Sequence, residues 1–217
     1  MRTKYISQQQ HNKSIKIKIP KKGFKKLTKE KARIIAHLIG DGTVFRSKHD
    51  YNIKYEVCDK ESLISFENDL KNVYGLQVTH GENPSGKTGK LIPFVRLRSK
   101  IVFEDLMRYA TYFSKDWNLK PLLLNSPKVI RKEFLKALFD DEGSVIPYGK
   151  NKLIRLYSIN LEGLKQIQKI LSNFKMQSKL VSGFGLKRNV YALTIKDIKL
   201  FHKQVGFNLE RKQEKIR

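Results

Sequence analysis

The chain repeats itself, and the repeat limits its fold more than any other feature. The run IIAHLIGDG (34–42) is answered by LKALFDDEG (135–143), so that Asp41 precedes Glu142 by 142 − 41 = 101 residues. The stretch NIKYEVCDKESL, a strand entering a helix, is answered by LIRLYSINLEGL at the same offset, Leu63 to Leu164 being 164 − 63 = 101. A third pair, PFVRLRSKIVFEDLMRYA and NVYALTIKDIKLFHKQVG, sets Lys100 opposite Lys196, an offset of 196 − 100 = 96. The first copy then carries the longer loop, around HGENPSGKTGK. One such likeness is common by chance; three in the same order mark an internal duplication, each copy reading helix, strands, helix.

Local signals agree. Thr28 is a helix N-cap candidate before the first apolar run, and Ser126 with Pro127 at the first helical position opens the second. Each run ends in acid–Gly, where glycine is expected to stop the helix in a left-handed conformation. In the strands Ile53, Tyr55 and Val57 alternate with Asn52, Lys54 and Glu56; Val95 and Leu97 with Arg96 and Arg98; Ile154 and Leu156 with Arg155 and Tyr157. Each sheet thus has one face for helices and one polar, partly basic face. Residues 1–27, polar and then Lys-rich, read as an arm; 28–122 and 123–217 are the two half-domains.

Charge narrows the partner. The 217 residues hold 45 Lys+Arg against 20 Asp+Glu, a net charge of +25. Such an excess repels itself unless a polyanion offsets it, and nucleic acid is the usual one. There is no apolar run fit to span a membrane and no apolar N-terminal signal stretch, and a lone cysteine, Cys58, excludes an internal disulfide or a Cys-cluster zinc site. The expected location is intracellular.

Duplication gives the acid–Gly ends a meaning. Two equivalent halves pack about a pseudo-twofold axis, where equivalent elements meet. Ala36 and Gly40 are small residues four apart, a spacing that lets helices approach; the counterparts are Ala137 and Asp141. If these helices line the axis, Asp41 and Glu142 meet at their C-terminal ends, where like charge and helix dipoles oppose both. Mg²⁺ resolves that conflict and, on a basic surface, implies phosphodiester hydrolysis. On spacing alone, two exposed helix-end acids without function remain the alternative.

The two runs resemble the nonapeptides of the LAGLIDADG homing endonucleases. In the second, Leu135, Ala137, Leu138, Phe139, Asp140 and Gly143 fit the consensus and Glu142 holds the acidic eighth position. The first departs at Ile39 and His37 but keeps Asp41 and Gly42. The resemblance covers roughly residues 28–210. It implies an α+β fold of two pseudo-twofold-related αββαββα half-domains, forming a saddle-shaped surface along double-stranded DNA. It implies metal, Mg²⁺ here, held by Asp41 and Glu142 with the position-seven backbone of Gly40 and Asp141. It implies strand-end lysines near the cut phosphates, for which Lys60, Lys100 and Lys196 are the candidates; Leu161 stands opposite Lys60, and Asn160, opposite Asp59, is a candidate to order a water. Candidate DNA contacts are Arg46, Lys48, Lys54, Arg96, Arg98, Lys152, Arg155, Tyr157, Lys187 and Arg188.

The expected protein is therefore a monomeric, metal-dependent endonuclease cutting a long DNA site, encoded by an intron and promoting its mobility. An RNA maturase acting on intron RNA, or a non-catalytic DNA-binding protein on the same fold, are the rivals. His37 is expected to be an interface residue, and Trp117 to serve the core or the link between halves.

Overall fold

The computed structural model describes residues 20–48, 50–86 and 88–217. The first repeat runs α1 (Lys29–Ile39), β1 (Gly42–Arg46), β2 (Tyr51–Glu56), α2 (Lys60–Tyr74), β3 (Thr79–Pro84), β4 (Leu91–Arg98), α3 (Lys100–Leu106). A short α4 (Pro121–Leu124) precedes the second: α5 (Lys128–Glu142), β5 (Gly143–Tyr148), β6 (Asn151–Ser158), α6 (Leu161–Ser172), β7 (Ser178–Phe184), β8 (Val190–Ile195), α7 (Ile198–Gln204). A last turn of helix, α8 (Glu210–Gln213), lies near the C-terminus. Each half is αββαββα with its own antiparallel sheet, ordered β1-β2-β4-β3 and β5-β6-β8-β7. Of the arm 1–27, residues 1–19 lie outside the described residues; Phe24 and Leu27 pack against the core, and the Lys21 N–H donates to the Tyr74 carbonyl.

Strand register corrects the third repeat. Tyr55 pairs with Val95 and its equivalent Leu156 with Leu193, an offset of 193 − 95 = 98. The following helices keep it, Lys100 and Ile198 being their first residues. Lys100 therefore corresponds to Ile198, and Lys196 to Arg98, not to Lys100. Sequence similarity slid by two residues because a shift of two preserves the apolar–polar alternation of a strand.

The capping expectations divide. The Thr28 side chain accepts from the Lys31 N–H, as expected. Ser126 does not cap: α5 begins one residue after Pro127, and the buried Ser126 hydroxyl donates to the Leu123 carbonyl. Nor do the glycines after α1 and α5 adopt left-handed conformations. Gly143 has φ −86°, and a Cβ there would meet the Phe139 carbonyl oxygen at 2.4 Å; at Gly42 it would meet the Leu38 Cα at 2.4 Å. Glycine is needed here for space, because the departing strand folds back over the last helical turn.

Apolar residues of α1 and α5 meet in a core shared by both halves, including Ile34, Ile35, Leu38, Phe134, Leu135 and Leu138. Burying side chains of this size stabilises by about 1.5–3 kcal/mol each. Arg33 adds a polar tie. Its guanidinium donates to both carboxylate oxygens of Asp69 on α2 at 2.7 and 2.8 Å, and to Glu133 on α5 at 2.7 Å. Trp117 packs on Gly163 of α6, where a Cβ would lie 2.4 Å from the indole, so the connection between halves is anchored to the second half.

The sheet faces alternate as expected. Ile53, Tyr55, Val95, Leu97, Ile154 and Leu156 are buried against helices. On the other face, cross-strand pairing aligns Thr43, Lys54, Arg96 and Thr79 in one row of the first sheet. The equivalent row of the second holds Ser144, Arg155, Thr194 and Lys179.

Candidate metal centre and nucleic-acid interface

α1 and α5 lie side by side and make the most extensive contact between any two elements. Their C-terminal ends come so close that a Cβ on Gly40 would lie 2.8 Å from the Asp141 Cβ. This brings Asp41 and Asp141 near enough to Glu142 for their charges to act on it. Asp41 lines a cleft of about 350 Å³ together with Asp59, Asp140, Asp141, Arg211, Lys212 and Lys215. Glu142 lines a second cleft, of about 260 Å³, with Ser114, Trp117, Tyr157, Ser158 and Leu164.

Electrostatics mark the two eighth-position acids. Desolvation, then the charge of Asp141, pushes Asp41 up to about 6. Desolvation, then the charges of Asp41 and Asp141, pushes Glu142 up to about 7. Both sit where a cation is wanted. Among the described residues no three His, Cys, Asp or Glu side chains form a preformed cage. The two helix-end carboxylates beside open clefts instead suit a hard, water-retaining cation rather than zinc.

Asp141 is turned away from that role. Its carboxylate accepts from the Tyr55 hydroxyl at 2.7 Å and lies 2.9 Å from His37 Nδ1, both in the first half. Burial opposes charge on His37, but the Asp141 carboxylate outweighs it and raises the imidazole above its ordinary value. His37 is thus an interface histidine with a partner, as expected. Asp140 also has structural partners: it accepts from the backbone N–H groups of Asn208 and Leu209 and from the Asn208 side chain.

Lys212 was not singled out by the sequence. It is buried, and its ammonium donates to the carbonyls of Asp140 at 2.5 Å, Gly143 at 2.6 Å and Phe139 at 3.2 Å. A cation there answers the negative end of the α5 dipole and lowers the pKa of both Asp41 and Glu142. The signal available was its position after the third repeat, but in a chain with 45 Lys+Arg one more lysine carries little information.

The other lysine candidates lie elsewhere. Lys60 is the exposed first residue of α2 and lines neither cleft. Lys100 opens α3, with its ammonium 3.8 Å from Glu104. Lys196 follows β8 with its ammonium 5.6 Å from the Tyr148 ring centroid. Asn160, the candidate water holder, is buried: it caps α6 by accepting from Gly163 N–H and donates to the Trp117 carbonyl.

Of the candidate DNA contacts, Lys54, Arg96, Arg98, Arg155 and Tyr157 lie on the polar faces by register. Arg96 stacks on Phe94, its guanidinium carbon 4.5 Å from the ring centroid, and Arg155 on Phe184 at 4.9 Å. The Nε of each is buried without a partner, as is Thr194 Oγ1 in the same row as Arg155. Lys54 is paired with Glu56 at 2.6 Å and Arg98 with Asp50 at 3.2 Å. Lys48 is exposed beyond β1, and Lys187 and Arg188 are exposed in the β7–β8 turn. Two candidates belong to the helix-side registers instead. Arg46, opposite Tyr51, is stacked on that ring at 5.4 Å, and the Lys152 ammonium donates to the Lys215 carbonyl at 2.7 Å.

Residues 130–206 match the LAGLIDADG-like domain family. No curated protein sequence matches the chain. Among solved structures, I-DmoI in complex with DNA and Mn is similar over 85% of this chain and 100% of that one, at 15% identity and TM-score 0.61. The homing endonuclease I-WcaI bound to its DNA recognition sequence is similar over 88% of this chain and 87% of that one, at 19% identity and TM-score 0.64. Full-length DUF199/WhiA from Thermatoga maritima is similar over 92% of this chain and 61% of that one, at 17% identity and TM-score 0.59. At these identities the likenesses establish the fold. No helix among the described residues is long and apolar enough to cross a membrane.

Proposed function

We propose that the chain, whose residues 130–206 match the LAGLIDADG-like domain family, is a divalent-metal-dependent endonuclease that cuts double-stranded DNA at a long, specific site. The observation that carries this reading is the meeting of Asp41 and Glu142 at the ends of α1 and α5, with carboxyls raised to about 6 and about 7. Two acids held in mutual repulsion beside open clefts are costly unless a cation joins them. The structural likeness to I-DmoI, whose structure holds DNA and Mn, and to DNA-bound I-WcaI supports the same choice.

Asp41 and Glu142 would hold the metal, with the Gly40 and Asp141 carbonyls as candidate backbone donors. When bound there, a divalent ion, Mg²⁺ by preference, would lower the pKa of the attacking water and neutralise charge on the scissile phosphate. The chain's residues do the rest. Lys212 places a fixed positive charge at the end of α5. Arg96 and Arg155, held on aromatic rings, present guanidinium groups whose fork matches guanine edges in the major groove. The exposed Lys48, Lys187 and Arg188 would track phosphate. One chain contains both halves, so it acts as a monomer; promoting the mobility of an encoding intron is the role that fits.

The test starts from a randomised duplex library, selected by binding in Ca²⁺ and cloned into a supercoiled plasmid. Addition of Mg²⁺ should cut the selected site, and chelation should stop it. Specific binding without cutting in Mg²⁺ or Mn²⁺ would leave a DNA-binding protein and overturn the nuclease reading.

A further inference from the structure

The polar faces of the two sheets are neutral or basic, with one exception. Among the described strand residues of both faces, Glu56 is the only acid. It stands on β2 in the row that holds Phe94 of β4 and Gly81 of β3. Phe94 lies over Gly81, where a Cβ would come 2.5 Å from the ring. The ring is a floor for the Lys54 ammonium, 5.5 Å from its centroid, and for the Arg96 guanidinium at 4.5 Å. Glu56 is held in this frame by one oxygen. Its Oε2 accepts from the Lys54 ammonium at 2.6 Å and from the Asn83 side chain at 2.5 Å. Both donors reach the same oxygen, so among the described residues Oε1 has no donor, and the side chain is partly exposed. The second half has no equivalent. Tyr157 replaces Glu56, since 157 − 56 = 101, and Ala192 replaces Phe94, since 192 − 94 = 98.

An acid is a liability on a surface that meets phosphate, because it repels the backbone that the lysines attract. A base edge can reverse the sign. In the major groove cytosine presents its N4 amino group as a donor with no acceptor of its own beside it, adenine sets N7 beside its amino group, and guanine and thymine present acceptors. A carboxylate oxygen with free lone pairs gains most from cytosine. Resting on the DNA-cutting reading above, we infer that Glu56 is a specificity-determining residue, its Oε1 accepting from the N4–H of a cytosine at one position of the target. Lys54 and Asn83 position the carboxylate and offset its charge, so Lys54 serves the base contact rather than phosphate. Glu56 and Arg96 stand in neighbouring rows, two residues apart along a strand, or about 7 Å. At about 3.4 Å per base pair, the cytosine lies within about two base pairs of the position that Arg96 reads. Tyr157 brings no carboxylate to the equivalent place, so the other half of the target carries no matching requirement.

In the experiment the full chain, as wild type and as Glu56→Gln, selects duplexes from one randomised library by binding in Ca²⁺, and the two pools are sequenced position by position. The wild type should favour cytosine about tenfold over other bases at one position, next to or near the one that Arg96→Ala relaxes. Glu56→Gln should lose that preference and keep the others. Its amide oxygen still accepts from Lys54 and Asn83, but an amino donor takes the place of Oε1, so guanine or thymine should replace cytosine. A Glu56 that only braces Lys54 and Asn83 would lower affinity alike for every base at that position. Such a uniform loss overturns the proposal, as does a cytosine preference that Glu56→Gln leaves unchanged. A wild-type pool with no cytosine requirement overturns it without any variant. Cutting is scored separately, by adding Mg²⁺ to the site that the wild type selects. A site that carries the cytosine and is bound but not cut overturns the nuclease reading and leaves the role of Glu56 standing.

Discussion

His37 Nδ1 lies 2.9 Å from the Asp141 carboxylate, across the boundary between the two repeats. The same carboxylate takes the Tyr55 hydroxyl at 2.7 Å, so one acid of the second half satisfies two buried polar groups of the first. Asp141→Ala should therefore act on folding. Two buried donors lose their acceptor, at about 1–3 kcal/mol each, and thermal unfolding should show a marked fall in Tm. Normal Tm with lost cleavage would instead make Asp141 a metal ligand.

Asp41→Asn and Glu142→Gln keep size but remove charge. Each should reduce cleavage roughly a thousandfold, the loss of several kcal/mol of transition-state stabilisation. DNA affinity in Ca²⁺ should hold or rise, because a negative charge beside phosphate is gone. A cleavage time course beside a binding titration decides; near-normal cleavage by either variant would falsify the assignment.

The same acids give the metal-free protein a pH dependence. Asp41 titrates at 3.8 ordinarily and at about 6 in the fold; Glu142 at 4.5 and about 7. Between these values the unfolded chain has released protons that the folded chain retains, so their contribution to stability falls as pH rises from about 4 to about 7. The raised His37 adds loss in the same direction, as pH rises through its folded value. Tm measured against pH should fall more steeply in the wild type than in the Asp41→Asn, Glu142→Gln double variant. Ca²⁺ should flatten the wild-type slope. Parallel slopes would remove the acids as its source.

Gly42 and Gly143 cannot carry a side chain without movement of backbone. Gly143→Ala puts a methyl 2.4 Å from the Phe139 carbonyl oxygen, and Gly42→Ala puts one 2.4 Å from the Leu38 Cα. Overpacking of this kind costs about 1–3 kcal/mol, and here the shift falls one residue from each acid. Both variants should lose stability in denaturant titration and cut more slowly than their stability alone explains. A stable, fully active Gly143→Ala would show that the strand exit is free to move.

With a net charge of +25, DNA affinity should drop steeply with salt. Arg155→Ala and Arg96→Ala should add a loss of about 1–3 kcal/mol at particular base pairs, read from competition with singly substituted duplexes. A uniform loss across all positions would reduce both arginines to phosphate contacts.

The sequence by itself determined the architecture. An offset of 101 between two apolar runs with acid–Gly ends required equivalent helices, and period-two alternation gave the strands and their faces. The pairing of Asp41 with Glu142 followed from that symmetry, because elements beside a pseudo-twofold axis meet their copies. Tertiary structure decided what local pattern leaves open. The offset of 98 in the third repeat is fixed by hydrogen-bond register, which alternation does not distinguish from 96. The role of glycine at 42 and 143 is set by the path of the next strand over the helix end. Whether an acid meets solvent or a partner depends on what faces it, so Asp141 and Asp140, adjacent to Glu142 in the chain, became structural. Lys212 entered the centre because a segment 70 residues beyond Glu142 folds back onto the end of α5, since 212 − 142 = 70. A lysine's burial and partners are long-range properties, and in so basic a chain only the folded contacts separate it from the others.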